Sequence, residues 1–547
     1  MIKNLVMKKN TFLTGALITS LGIIFSKFLG VFYVIFFHSI VGDPGGALYG
    51  YSYTVYNFFL SLATLSIPLS ISKMVSSYQS LGYYQIKKRC FVLAKKISLF
   101  LSILSFLIVF FFAPLISRWI LGTSSTEHIK DVIFVIRIVG ISLLIVPVMN
   151  VYRGYFEGHR FFIPSTISQI LEQFFRVFII LLGSFLSFKV FHLSISTTIG
   201  VCLFGTFVGG IISYVYLVTK YLFHQKKFSF QIRKVSEPIL SDSLLIKKII
   251  YFSIPFMAIN LFQSFFHMID LFTVVKGLVS LGYSLVDAES IYSILSLWAN
   301  KFLLVVLVIS SGVITSMIPS LEEAIGKKNN KNIENIIHQG FHVFLYFSIP
   351  IIFGISFLSK EIWTFLYGNS TYGPNILAFS IFIGLFIGIF SILMIVLQSL
   401  KEYKGMIVSI ISGSVIKILF NTYFLSTFQQ IGLPAYYGVI FCSILGYFIS
   451  SFVCFLYLKK KYQLTFYPIF KNLIDILILS IGMIFLLFLL RFLFPISFQS
   501  KVLFLFLLFL YVFLGGSFYL LLSNKIGLFQ RIFHKDIFQV FQKNKTK

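Results

Sequence analysis

The chain has 547 residues, of which 58% are hydrophobic and 11% charged, with a mean hydropathy of +0.94 and a formal net charge of +28. Soluble domains carry about 25% charged residues, so this composition excludes a soluble globular protein and leaves a polytopic membrane protein. A surplus of Lys and Arg would suggest nucleic acid in a soluble chain; here it follows their distribution among the loops, and no nucleic-acid partner is expected.

At the N-terminus, Lys3, Lys8 and Lys9 precede an apolar run. The run is longer than the 7–15 residues of a signal peptide and lacks a small-x-small cleavage site, which predicts a first transmembrane helix. Apolar stretches of membrane-crossing length occur fourteen times, at about 11–40, 47–77, 91–117, 131–153, 164–188, 194–221, 246–276, 288–318, 333–358, 375–400, 405–427, 435–458, 466–490 and 500–523. Of the 45 Lys and Arg, 32 fall in the N-terminus, alternate loops and the C-terminal tail. Only seven lie on the opposite side: Arg118, Lys130, Lys189, Lys276, Lys360, Arg491 and Lys501. This bias predicts a multi-pass protein of the cell membrane with both termini in the cytoplasm.

The longest hydrophilic connection, 223–243, separates six spans from the remaining eight. The expected organisation is an N-terminal lobe 1–222 (helices 1–6), a cytoplasmic linker 223–245, a C-terminal lobe 246–458 (helices 7–12), and 459–547 holding helices 13 and 14 with a basic tail. An internal repeat supports two lobes. PLISRWILG ends at Gly122 and SKEIWTFLYG at Gly368, an offset of 246. At an offset of 245, Glu157 meets Glu402, Glu172 meets Lys417 and Arg176 meets Asn421. Pro68 in TLSIPLSIS resembles Pro319 in SMIPSLEEA. Six helices separate the copies, so they share an orientation and are related by an axis along the membrane normal. The predicted fold is all-α, with two pseudo-symmetric six-helix lobes plus two C-terminal helices.

Six basic residues fall inside spans: Lys27, Lys73, Arg137, Arg176, Lys301 and Lys417. Lys27, after Ser26, lies near the middle of the first span; a Lys that deep costs roughly 2.5–3.5 kcal/mol on insertion scales. It faces a wet cavity or a partner, or it snorkels along its stem to the nearer surface. Lys301, after Asn300 in SLWANKFLLVV, is mid-span with no acid at helical spacing. If Lys27 and Lys301 share a chamber, it is electropositive and suits a phosphate-bearing cargo. Lys73 is near the end of the second span, close enough to snorkel, and Arg137 is near enough to the other surface to reach it. Glu172 and Arg176 are at i,i+4 and can neutralise each other, as an internal brace or as a functional pair. Asp270 in FFHMIDLFTV either binds a coupling cation, Na+ or H+, or pairs with Lys301 or Lys27.

No Gly-rich phosphate loop, nucleophile–His–acid set or pair of exposed carboxylates is present, so neither catalytic residues nor an enzyme activity is expected. Cys90, Cys202, Cys442 and Cys454 are scattered and the nine histidines form no ligand spacing, which predicts neither a disulfide framework nor a metal site.

SKFLGVFYVIFF, GYSYTVYNFFLSLATLSIPLSISKMVS, YRGYFEGHRFFIPSTISQILEQFFRV and SMIPSLEEA resemble the MurJ-type lipid II flippases, particularly the branch that includes stage V sporulation protein B-like polysaccharide transporters. These belong to the multidrug/oligosaccharidyl-lipid/polysaccharide exporter superfamily. The resemblance covers spans 1 to 12. It implies a non-enzymatic flippase that moves undecaprenyl-pyrophosphate-linked peptidoglycan precursor from the inner to the outer leaflet by alternating access. It also implies that Ser26, Lys27, Lys73 and Lys301 line the cavity, with partners among membrane lipids and cell-wall synthesis proteins and a monomeric state. Two departures stand out: Lys replaces the family's Arg at two cavity positions, losing bidentate phosphate geometry, and Tyr33-Val34 occupy the place of a second basic residue in helix one. Alternative cargoes are a capsular, teichoic or O-antigen-type precursor, or a drug exported against an ion gradient; a non-transporting scaffold for wall synthesis is the other class.

Overall fold

A computed structural model describes residues 12–122, 126–228, 237–465, 467–494 and 501–533. Its first helix, α1 (Phe12–Thr64), passes through the first expected span and most of the second, turning at Gly42, with φ 61° and ψ −164°. That backbone is open to glycine alone without strain, and Pro44 two residues later removes a donor from the ladder. A second break follows at Leu65 and Ser66, at φ 44° and 51°, before α2 (Ile67–Ser80) opens with Pro68 in its first turn. The expected span 47–77 is therefore two helices and not one.

The third span is α3 (Tyr84–Leu121), closed by Gly122 at φ 68°. The fourth is α4 (Thr126–Ile141), a 3-10 turn at Ser142–Leu144, and α5 (Val146–Gly158), with Pro147 at the restart. Then come α6 (Phe162–Ser184), which runs into a π-helical turn at Phe185–Val190, and α7 (Ile195–Phe228). Helix α8 (Asp242–Ser280) is capped by the Ser241 hydroxyl, which accepts from the Leu244 amide at 3.3 Å. The eighth span is α9 (Leu285–Ser293), a π-helical turn at Ile294–Trp298, and α10 (Asn300–Gly326). The rest are α11 (Asn330–Phe357), the short α12 (Ser359–Tyr367), α13 (Gly373–Ser399), α14 (Tyr403–Gln430), α15 (Tyr436–Tyr462), α16 (Tyr467–Leu493), α17 (Lys501–Lys525) and α18 (Leu528–Phe533). Gly368 closes α12 at φ 83°, the counterpart of Gly122 in the repeat.

Thirteen helical stretches among the described residues are long and apolar enough to cross a membrane. The first of them begins only at Tyr33, beyond most of the first expected span. Adding that span gives the fourteen read from hydropathy. Large apolar side chains such as Phe100, Phe111, Phe485 and Phe513 are exposed, as a lipid-facing surface requires.

Two compact units divide the chain. One holds Met1–Trp298 and Asn421–Gln430, the other Ala299–Phe420 and Ile431–Lys547. The boundary between them in sequence lies inside the eighth span, whereas the expected lobes divide at 223–245. In the first unit, Ile71, Met74, Phe91, Tyr155, Leu217 and Ile249 belong to one buried cluster, and the Phe91 and Tyr155 rings stack with centroids 4.0 Å apart. The segment 421–430 belongs there because Leu425 packs where a Cβ on Gly277 would lie, and Gln429 donates to the Leu281 carbonyl at 2.9 Å. In the second unit, Tyr346 of α11 lies 2.6 Å from the Ser523 hydroxyl of α17. Tyr511 donates to the Leu490 carbonyl of α16 at 3.1 Å, which fastens the last two spans to each other.

Candidate functional site

The functional candidates are charges in apolar helices, where each must be paired or kept wet. Ser26 and Lys27 lie on α1, but their side chains fall outside the described residues. Asn300 and Lys301 open α10 directly after the π-helical turn Ile294–Trp298; both are half-buried and both are engaged by neighbours. Such turns widen the helix locally and recur at functional positions. Lys73 is exposed on α2, its ammonium 4.8 Å from the centroid of the Phe252 ring. One turn away on the same helix, Ser70 meets Ser253 at 2.8 Å.

Glu172 and Arg176 do not form the ion pair expected from their spacing. The carboxylate of Glu172 is held instead by Arg153, whose Nη2 lies 2.7 Å from Oε2. The same guanidinium donates to Ser168, Asn150 and Ser213 at 2.8, 3.0 and 3.1 Å. Arg176 donates to the Tyr53 hydroxyl at 3.1 Å and to Gln173 Oε1 at 2.5 Å. Side-chain spacing brings i and i+4 onto one face, but Arg153 from the middle of α5 reaches that face first. Arg153, the last residue of the expected fourth span 131–153, is thus a member of the buried network.

Asp270 of α8 accepts a hydrogen bond from Asn421 Nδ2 at 3.0 Å, and the same amide donates to Thr273 at 2.6 Å. Asn421 is fully buried, and its Oδ1 has no partner. Asp270 also borders a small cavity of about 20 Å³ with Thr54, His267, Tyr292 and Ser296. An acid, a buried carbonyl oxygen without a donor, and hydroxyls nearby are oxygen ligands of the kind a hard cation takes. Lys417 sits at the repeat position of Glu172, is fully buried, and donates to the Ser443 hydroxyl at 2.6 Å.

A further polar cluster escaped sequence reasoning. Glu289, buried at the start of the eighth span, has His128 Nε2 at 2.6 Å and accepts from the Tyr51 hydroxyl at 3.1 Å. Its neighbour Ser290 donates to Asp43 at 2.6 Å, beside the Gly42 bend. Glu289 in LVDAESIY stands at the very start of the expected span 288–318, and no spacing rule joins it to residues 238 and 161 positions away. Among the described residues no group of three or more His, Cys, Asp or Glu could hold a metal.

Known proteins share this arrangement of helices. The chain is 28% identical to the lipid II flippase MurJ of Bacillus subtilis (strain 168) over 478 residues, 86% of each chain. The structure of a lipid II flippase MurJ in an inward closed conformation superposes with a TM-score of 0.65 at 17% identity, covering 95% of this chain and 100% of that one. An inward-facing multidrug resistance MATE family transporter of the MOP superfamily reaches 0.60 at 13% identity, over 80% of this chain and 94% of that one. The likeness at this identity is one of fold, the fold expected for the exporter superfamily. The polysaccharide biosynthesis protein family matches residues 12–325, from the first span through the eighth. With more than half of its length matched, this chain belongs to that family.

Proposed function

We propose that this protein is a flippase for a lipid-linked saccharide, moving undecaprenyl-pyrophosphate-linked peptidoglycan precursor from the inner to the outer leaflet by alternating access. The observation that carries this reading is the similarity to the B. subtilis lipid II flippase, which extends over 86% of both chains. The scarcity of acids inside the spans supports an anionic cargo: Lys27 and Lys301 offer ammonium groups to the pyrophosphate, whereas exporters of organic cations need buried carboxylates. The chain acts as a transporter and not as an enzyme, works as a monomer among membrane lipids, and has both termini in the cytoplasm, as the bias of 32 to seven basic residues supports. The lobes 1–222 and 246–458 are the moving bodies, and a coupling cation at Asp270 or the membrane potential resets them.

Two experiments test this. Leaflet translocation of the undecaprenyl-linked precursor is measured with purified protein in vesicles; transport of a capsular or teichoic precursor in its place would transfer the protein to another cargo. Cells depleted of their native flippase are rescued by the wild type and not by the Lys27→Ala, Lys301→Ala double variant. Full rescue by that variant at normal expression removes the basic chamber from the mechanism.

A further inference from the structure

An open groove of about 510 Å³ runs between α3 and α4, within the size range of small-molecule sites. Phe110 and Pro114 form one wall, Ile133 and Phe134 the other, and Lys130 and Arg137 lie along it. Phe134 in the wall and Phe111 beside Phe110 are exposed, so the groove faces the lipid and not the interior of the bundle.

The two cations have unused binding capacity. Arg137 donates through Nε to the Phe110 carbonyl at 3.2 Å, and its guanidinium carbon lies 4.8 Å from the Phe110 ring centroid. These contacts fix the plane of the guanidinium, and neither of its Nη groups has a partner among the described residues. Lys130, exposed, makes no hydrogen bond or ion pair among them either. Arg137 is seven residues along α4 from Lys130, about 10 Å deeper at the helical rise, and on the same face. Arg118, four residues beyond Pro114 on α3, adds a third positive charge near the Gly122 end. Arg118 and Lys130 are two of the seven basic residues on the side of the chain where such residues are scarce. A fixed guanidinium with free donors, set in an apolar lipid-facing groove, calls for an anion that carries its own hydrocarbon.

We propose that this groove binds one anionic glycerophospholipid, its phosphate between Lys130 and Arg137 and an acyl chain along Phe110, Pro114, Ile133 and Phe134. None of the residues lining the groove is among those proposed for the cargo, and the proposal does not depend on which saccharide is moved. A phosphatidylcholine has the same chains and phosphate, but its choline cancels the net charge, so the groove discriminates against it.

The test uses the purified full-length protein in detergent, titrated with dioleoyl-phosphatidylglycerol or dioleoyl-phosphatidylcholine, with bound lipids counted by native mass spectrometry. The wild type is expected to hold one phosphatidylglycerol roughly tenfold more tightly than phosphatidylcholine, as two charge-assisted contacts would give. Lys130→Gln with Arg137→Gln removes that preference and leaves phosphatidylcholine binding unchanged, while Arg137→Lys keeps most of it. Ile133→Trp, which fills the groove and leaves both charges, also loses the phosphatidylglycerol and guards against misfolding of the Arg137 variant. Unaltered phosphatidylglycerol affinity in the double Gln variant, or in Ile133→Trp, overturns the proposal. So does displacement of the bound phosphatidylglycerol by farnesyl diphosphate at equal concentration, which would assign the groove to the polyprenyl cargo.

Discussion

The guanidinium of Arg153 lies 2.7 Å from the carboxylate of Glu172, tying the end of the fourth span to the middle of the fifth. The two side chains are 11% and 16% exposed, so each screens a charge that neither helix can otherwise bury. Removing one member of such a pair leaves the other uncompensated, at a cost of about 3–5 kcal/mol, whereas replacing both by apolar residues is often neutral. Glu172→Gln is therefore expected to destabilise strongly, and Arg153→Met with Glu172→Leu far less than the sum of the single changes. Denaturant unfolding in detergent of the wild type, Glu172→Gln, Arg153→Met, Glu172→Leu and the double variant measures this; additive costs would mean that the ion pair is not a unit.

That pair also marks where sequence reading stops. Hydropathy and the Lys/Arg bias gave the fourteen spans, because crossing a bilayer imposes length and composition on each helix separately. Gly122 and Gly368 were found as repeat landmarks and close α3 and α12 at positive φ, a local requirement visible in local sequence. Spacing, however, reports only neighbours on one helix. It joined Glu172 to Arg176 and could not see that Arg153, 19 positions earlier, would arrive from the preceding helix. The break at Leu65–Ser66 was hidden for a related reason: neither residue is glycine, and only the packing of α2 against its neighbours holds them at positive φ. Gly154 shows that packing, since a Cβ there would stand 2.2 Å from the Pro68 carbonyl oxygen.

Gly46 of α1 is packed against Trp298, and a Cβ at that position would lie 2.4 Å from the indole ring. Trp298 is fully buried and cannot swing aside. Gly46→Ala must push apart α1 and the π-helical turn, with an overpacking cost of about 1–3 kcal/mol. Thermal unfolding checks the cost, and Gly46→Ala combined with Trp298→Phe should recover part of it. A fully stable Gly46→Ala protein would show that the indole has room to move.

The contact of Asp270 with Asn421 bears on coupling. Asparagine at 270 keeps an acceptor oxygen for the Asn421 amide, so Asp270→Asn is expected to change stability by less than about 1 kcal/mol. If a cation binds there, as proposed, the charge is what it needs, and the variant loses any dependence of transport on sodium or on a proton gradient while still folding. The paired measurement is the melting temperature with and without sodium and translocation in vesicles at varied gradients. Transport by Asp270→Asn that still follows the ion gradient removes Asp270 from coupling.

Glu402, in the turn between α13 and α14, gives a pH prediction with a definite sign. Burial pushes its carboxyl up, but hydrogen bonds from Lys461 at 2.5 Å and from Tyr462 and Tyr457 at 2.7 Å outweigh this and hold it below the usual carboxylate range. A group whose folded pKa is depressed stabilises the fold above its unfolded pKa, about 4.3 for Glu. That stabilisation is lost as pH falls through the unfolded and then the folded value. Lys461 is about half exposed, so water screens its share and the two tyrosine bonds carry most of the effect. Glu402→Gln is expected to lower stability at pH 7 by about 1–3 kcal/mol, since amide acceptance replaces charge-assisted bonds. The difference between the two proteins should shrink on acidification below about pH 5, as the wild-type carboxylate takes up its proton. Thermal unfolding in a non-titrating detergent from pH 7 downward follows both curves; a gap that stays constant with pH would mean that the charge of Glu402 contributes nothing to holding α14 against the end of α15.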